Sequence, residues 1–291
     1  TNPPPAWPRH VLRADAFWLL TPPDLKRFDA SALLQLPSGQ WWTVNDQVTG
    51  IHQIRFRGTS PAATNVADLI PVPAILTPEQ VSALGTRAGT RLDIEGLAID
   101  ARGRIYLCEE ARRWILRWDP GNRSLERLDI DWTPVKRYFH PLDFNASFEG
   151  IAVGGDTLYV ANERQDGRIL EVDLRTLRVT GDFAVAPAET IGDDTHYTDL
   201  SWFDGRLWVL LRDVRKVLEV DPARRQVVTE FDYTQMETRA AVAYGAFLSP
   251  GFMEGLAVDR EFIWLLSDNN GVGRRADSKD IRPTLFRCPR P

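Results

Sequence analysis

EGLAIDARGRIYLCEE, residues 95–110, reads as a short apolar strand, a polar turn at Gly103 and a second apolar strand, with carboxylates at both ends. The template recurs as SALLQLPSGQWWTVND (31–46), EGIAVGGDTLYVANE (149–163), TDLSWFDGRLWVLLRD (198–213) and EGLAVDREFIWLLSD (254–268). The second strand carries an aromatic at one fixed place: Trp42, Tyr106, Tyr159, Trp208 and Trp264. Starts at 31, 95, 149, 198 and 254 give spacings of 64, 54, 49 and 56 residues. A third strand follows in WILRWDP (114–120), RILEVDL (168–174) and KVLEVDP (216–222). A fourth follows in SLERLDI (124–130), LRVTGDF (177–183) and QVVTEFD (226–232).

Four short strands repeated at intervals of about 50 residues are the pattern of an all-β propeller, whose blades are four-stranded sheets around a channel. Helical periodicity between the strands is almost absent, which excludes a two-domain α/β enzyme; only Pro78–Leu84 has room for a helical turn or two. TLFRCP (284–289) aligns with the third strand ILRWDP (115–120), and no residues remain after it for a fourth. The expectation is one domain over 1–291. It has a lead-in at 1–8, a strand within 9–20 that closes the ring from the N-terminal side, and five blades starting near 31, 95, 149, 198 and 254. Six blades, the alternative, need an extra one within residues 58–93, only about 36 residues against the roughly 50 a blade takes.

Lysine and arginine total 35 against 40 aspartates and glutamates, a net charge of −5. A nucleic-acid binder working by charge needs the opposite balance, so no nucleic-acid partner is expected. No run approaches the about 18 uncharged apolar residues of a spanning helix. Cys108 and Cys288 lack CxxC spacing, which argues against a thiolate zinc site, and whether they form a disulfide is open. The sequence begins with Thr, and Pro3–Pro5 open a polar lead-in, the look of a start trimmed by a signal peptidase or by cloning; a periplasmic or secreted protein is the expectation.

Strands within a blade alternate direction, so the start of strand one and the end of strand two share one end of the channel, where connecting loops also emerge. The first positions hold Ser31, Glu95, Glu149, Thr198 and Glu254; the second hold Asp46, Glu110, Glu163, Arg212 and Asp268. Seven carboxylates and one arginine around one mouth require compensation by arginine, metal or protons. In one reading Glu95, Glu149 and Glu254 hold Ca²⁺ or another hard divalent cation, which takes six to eight oxygen ligands. In the other, each Glu-Gly pair starts a strand: the Glu caps backbone N–H groups, the Gly permits close packing, and channel water solvates the charge. Arg212 either receives an anionic substrate group or pairs internally with a neighbouring Glu. Asp46, Asp268 and Tyr197 are candidate substrate contacts. Glu110, Glu163 and His196 are candidate general bases, with His140 a solvated alternative. The long connections 71–93, 131–147, 184–197 and 232–252, with the polar insertion NNGVGRRADSKD (269–280), are expected to overhang the mouth. No G-x-S-x-G elbow, P-loop or dinucleotide fingerprint is present.

DIEGLAID (93–100), SFEGIAV (147–153) and FMEGLAVD (252–259), each followed by its Tyr or Trp strand, resemble the bacterial phytase-like family, described by an esterase-like activity, and the related SdiA-regulated propellers. The resemblance covers most of residues 28–275. It implies an extracytoplasmic propeller with Ca²⁺ carried by Glu95, Glu149 and Glu254, acting on an ester or phosphoester. Two of the five ligand positions depart from that pattern, holding Ser31 and Thr198. The expectations are therefore a Ca²⁺-dependent hydrolase of an ester, lactone or phosphoester, or a non-catalytic propeller binding a small molecule or protein at the mouth with a structural metal or none.

Overall fold

The computed structural model describes residues 7–57, 65–143, 146–164, 167–188, 196–245 and 251–291. Within them 21 strands form four sheets. The N-terminal β1 (Arg9–Val11) and β2 (Ala16–Thr21) precede β3 (Ala30–Gln35), β4 (Trp41–Asn45), β5 (Val48–Phe56) and β6 (Asn65–Pro71). After the helix α1 (Pro78–Ala83) come β7 (Ile94–Ile99), β8 (Ile105–Glu109), β9 (Trp114–Asp119) and β10 (Ser124–Arg127). A 3-10 helix at Thr133–Tyr138 leads to β11 (Phe148–Gly154), β12 (Thr157–Asn162), β13 (Arg168–Asp173) and β14 (Arg178–Phe183). Then follow β15 (Tyr197–Phe203), β16 (Arg206–Leu211), β17 (Lys216–Asp221) and β18 (Gln226–Asp232). A one-turn helix α2 (Thr234–Glu237) precedes β19 (Met253–Val258), β20 (Phe262–Ser267) and β21 (Thr284–Pro289).

Each repeat closes through local chemistry. Phe203 pairs with Arg206 across the two-residue turn Asp204-Gly205, and both turn residues have positive φ, 50° and 71°. That is the mirror-image turn whose twist suits a β-hairpin. The recurrent Asp ending the third strand makes the next turn: Asp119, Asp173 and Asp221 each accept the N–H two residues on, at 2.8, 2.8 and 3.0 Å. The repeated aromatic is tied to the first strand in two repeats, with Tyr106 Oη and Trp264 Nε1 donating to Asp100 and Asp259.

Strand order is sequential within β7–β10, β11–β14 and β15–β18, with β1 added parallel to β18. The fourth sheet joins β3–β6 to β19–β21 through β2, which pairs antiparallel with β21 and parallel with β6. First strands lie side by side in a cyclic order: β3 beside β7, β7 beside β11, β11 beside β15, β15 beside β19, and β19 beside β3. The apolar cores lie between adjacent units. One joins Leu34, Trp42 and Val44 to Ile94 and Leu97, and the next joins Tyr106 and Ile115 to Phe148 and Ile151. The series ends with Trp264 and Leu285 against Trp41 and Ile54. Each large apolar side chain buried this way contributes about 1.5–3 kcal/mol, so stability resides in the seams between sheets.

Two differences from the sequence reading concern the N-terminal side. Residues 9–20 do not form one strand: β1 pairs with β18 in a neighbouring sheet, and only β2 reaches β21. The break falls at Asp15, whose N–H bonds Arg287 O and whose carboxylate takes the Arg287 guanidinium at 2.9 Å twice. The first repeat also has third and fourth strands, β5 and β6, that resemble none of the others in sequence. Residues 78–83 form a helix with Thr77 and Gln80 in a capping box. Cys108 and Cys288 are free thiols buried in different cores, so no disulfide joins them. No helix among the described residues is long and apolar enough to cross a membrane. Within the long connections expected to form a wall, residues 144–145, 189–195 and 246–250 lie outside the described ones, as do 1–6 of the lead-in.

Candidate functional site

All five first strands carry a one-residue bulge near their start, at the repeat position in β7, β11, β15 and β19 and just after Ser31 in β3. The pairing shifts between Ser31 and Leu34, Ile94 and Gly96, Phe148 and Ile151, Tyr197 and Asp199, and Met253 and Gly255. The extra residue is Glu95 in β7, Thr198 in β15 and Glu254 in β19, while in β11 the shift spans Glu149 and Gly150. A bulge re-aims the side chain it carries, and this one gathers the repeated glutamates. The glycine that follows lets neighbouring first strands touch. A Cβ on Gly96 would stand 2.6 Å from Glu149 O, and one on Gly150 would stand 2.3 Å from Asp199 Cα.

The acidic residues divide into three groups that differ in how far a guanidinium reaches into them. Arg27 Nε donates to Asp29 at 2.7 Å, in the field of Asp268 and Asp46. Arg212 pairs with Glu254 and, at 3.2 Å, with Glu163; Arg164 lies 3.3 Å from Glu163 on the other side. The third group is Asp93, Glu95 and Glu110, each offering a carboxylate oxygen within 4.8 Å of the others. Arg91, on the exposed rim, takes Asp93 Oδ2 at 3.1 Å, and among the described residues no arginine lies within 4.0 Å of Glu95 or Glu110. Asp93 Oδ1 is buried without a hydrogen-bond partner. Ser31 is hydrogen-bonded to Glu95, and Glu149 to Glu110.

Electrostatics follow that division. Burial, then the charges of Asp93 and Glu163, push Glu110 up to about 8. Burial pushes Glu163 up to about 7 against the pull of Arg212 and Arg164. Glu95 and Glu149 are raised well above the ordinary carboxylate range, first by burial and then by neighbouring carboxylates, Glu110 and Asp93 for Glu95 and Glu163 and Glu95 for Glu149. Burial raises Glu254 as well, although Arg212 opposes it, and the Arg212 guanidinium is itself held more firmly protonated by Glu254. Asp46 rises to about 6 by burial, and Asp268 rises for the same reason.

Of the three glutamates expected to bind metal, Glu95 belongs to the Asp93 group, Glu149 adjoins it, and Glu254 is held by Arg212. Glu110, expected as a base, sits inside the group, whereas Glu163 lies in the Arg212 ion pair. Arg212 takes the internal pairing. Tyr197 is a core residue: its hydroxyl donates to Val185 O at 2.6 Å and accepts from Val185 N at 2.9 Å. His196 is half-buried beside it, next to the point where Tyr197 N donates to Glu163 O. His140 accepts the N–H groups of Leu142 and Asp143 in its own turn. Two residues were missed. Asp93 precedes Glu95 by two positions, as Asp29 precedes Ser31, and that repeat was visible in the sequence. Asp199, buried where other repeats have glycine, gave no chemical signal. An all-oxygen donor set with an orphaned buried carboxylate oxygen fits a hard divalent cation such as Ca²⁺.

Sequential four-stranded sheets that share their cores with cyclic neighbours, with carboxylates bulged out of the first strands, define a propeller-like all-β protein with a buried acidic site. Residues 29–271 match the family described as Phytase-like: Esterase-like activity of phytase, and the chain belongs to it. The glutaminyl cyclase of Myxococcus xanthus is similar in fold at 14% identity, with 97% of each chain covered and a TM-score of 0.62. The virginiamycin B lyase of Staphylococcus aureus matches at 14% identity over 94% of this chain and 73% of its own, with a TM-score of 0.44. No curated protein matches this chain.

Proposed function

We propose that the chain is a single-domain propeller of five blades, closed by β2, and that it is an exported, Ca²⁺-dependent hydrolase of an ester, lactone or phosphoester. One observation carries the reading: Asp93, Glu95 and Glu110 converge within 4.8 Å with only the exposed Arg91 paired to Asp93 among the described residues, whereas Glu254 and Glu163 share the buried Arg212. Glu95 and Glu110, buried beside the half-buried Asp93 with no cation of their own within 4.0 Å among the described residues, incur a repulsion and desolvation cost that a divalent ion removes. Asp93, Glu95 and Glu110 would hold the ion, with Ser31 orienting Glu95 and Glu149 hydrogen-bonded to Glu110. Once bound, the ion would polarise a substrate oxygen or lower the pKa of water. Glu163, titrating near 7, is placed to hold or release a proton at neutral pH, and Arg212 keeps its carboxylate oriented.

The hydrogen bond between the Glu110 and Glu149 carboxyls favours a second reading, in which shared protons replace the ion and the acidic end is a non-catalytic site for a small molecule or protein. Metal content by mass spectrometry, with melting temperature measured with and without chelator, separates the two. Bound Ca²⁺ and a chelator-induced fall that shrinks in Glu95→Gln support the first reading. A metal-free protein whose melting ignores chelator sinks it and leaves the second.

A further inference from the structure

We infer that a cavity of about 250 Å³ at the seam between β2, β21 and α2 is a second binding site, for a carboxylate on a short apolar tail. Its floor is apolar, made by Phe17, Met236, Val242 and Phe286, and its rim is formed by Arg13, Gln235 and Arg239. None of these residues belongs to the acidic site. The rim offers two guanidiniums and an amide, and the lining contains no carboxylate, in a chain that carries 40 acidic residues.

The carboxylates that border the cavity are committed elsewhere. Asp15, two residues from Arg13, takes Arg287 through both oxygens at 2.9 Å. Glu237, two residues from Arg239, takes Arg215 at 2.5 Å and the Phe252 N–H at 2.7 Å. Asp232, at the end of β18, takes Lys216 at 2.6 Å. Among the described residues no carboxylate lies within 4.0 Å of the Arg13 or Arg239 guanidinium, so both are left for an external anion. Guanidinium forks suit a carboxylate, and the apolar floor suits hydrocarbon. A neutral ligand leaves the rim unused, and a compact polyanion leaves the floor unused. The volume sits below the usual range of about 300–1,000 Å³ for small-ligand cavities, which limits the tail to a short alkyl chain or one ring.

Octanoate is the probe, titrated calorimetrically into the full chain, with octan-1-ol and octylamine as controls. The expected result is octanoate binding that weakens with added salt and falls about tenfold for each of Arg13→Gln and Arg239→Gln. Both arginines are exposed, and unchanged melting of the variants confirms that they fold. Ala14→Trp, which fills the cavity from its wall, abolishes binding. Glu95→Gln leaves it intact, which separates this site from the acidic one. Equal affinity for octan-1-ol, undiminished octanoate binding in the double glutamine variant, or no octanoate binding at millimolar concentration overturns the inference.

Discussion

Asp199 Oδ2 accepts the backbone N–H of Leu256 at 2.7 Å, tying β15 to β19 at the level where other first strands carry Gly96, Gly150 and Gly255. Its Oδ1 accepts Leu200 N–H at 2.8 Å, and the carboxyl also bonds the Leu33 amide of β3. A buried carboxyl thus satisfies amide groups on the open inner edges of three first strands. Asp199→Asn keeps the shape but turns an NH₂ toward those donors, and should cost about 1–3 kcal/mol. Equilibrium denaturation in urea measures it, and an unchanged midpoint would remove the bridging role.

Removing Arg212 should be among the most damaging single changes. It leaves the buried Glu254 without its cation and the buried Glu163 with Arg164 alone, a loss of about 3–5 kcal/mol for one partner of a buried pair. Arg212→Met is therefore expected to lower the melting temperature sharply, and adding Glu254→Gln to recover part of the loss. A double variant no better than the single one contradicts the pairing.

Gly150→Ala places a methyl 2.3 Å from Asp199 Cα, backbone that has nowhere to move. The expected destabilisation is at the upper end of the about 1–3 kcal/mol typical of overpacking. Gly121→Ala, whose new methyl meets only the Asp119 side chain, should be mild. Similar melting temperatures for the two would refute the close contact of β11 with β15.

The acidic site sets a pH dependence. Glu110 titrates at about 8 and Glu163 at about 7 in the folded chain, against an ordinary 4.5. Between those values the folded state holds protons that the unfolded chain has released, so stability falls as pH rises. The contribution is complete below about 4.5 and is lost as pH passes through 7 to 8. In chelator, melting temperature should drop across that window, the drop should be smaller in Glu110→Gln, and Ca²⁺ should offset it. A flat profile in chelator, the same in wild type and variant, counts against a protonated cluster.

Much of this was legible in sequence because strand periodicity, polar turns that mostly carry Gly, and the fixed aromatic are local patterns that recur from repeat to repeat. The segments read as first and second strands are β3–β4, β7–β8, β11–β12, β15–β16 and β19–β20. The matching third and fourth strands were equally readable where they repeat. β5 and β6 were not, because their sequences follow the pleat without following the repeat.

The strand template, and carboxylates at the start of strand one and the end of strand two, are written into the repeat itself. Which of those charges meet depends on how the sheets pack. Arg212 follows β16 yet pairs with Glu254 and Glu163, residues 42 and 49 positions away on neighbouring units. Tyr197 precedes Thr198 by one residue, yet the pleat turns it into the core. The physical reason is that a repeat fixes where each side chain leaves its own sheet, whereas neutralisation of charge depends on what adjacent sheets present across the seam.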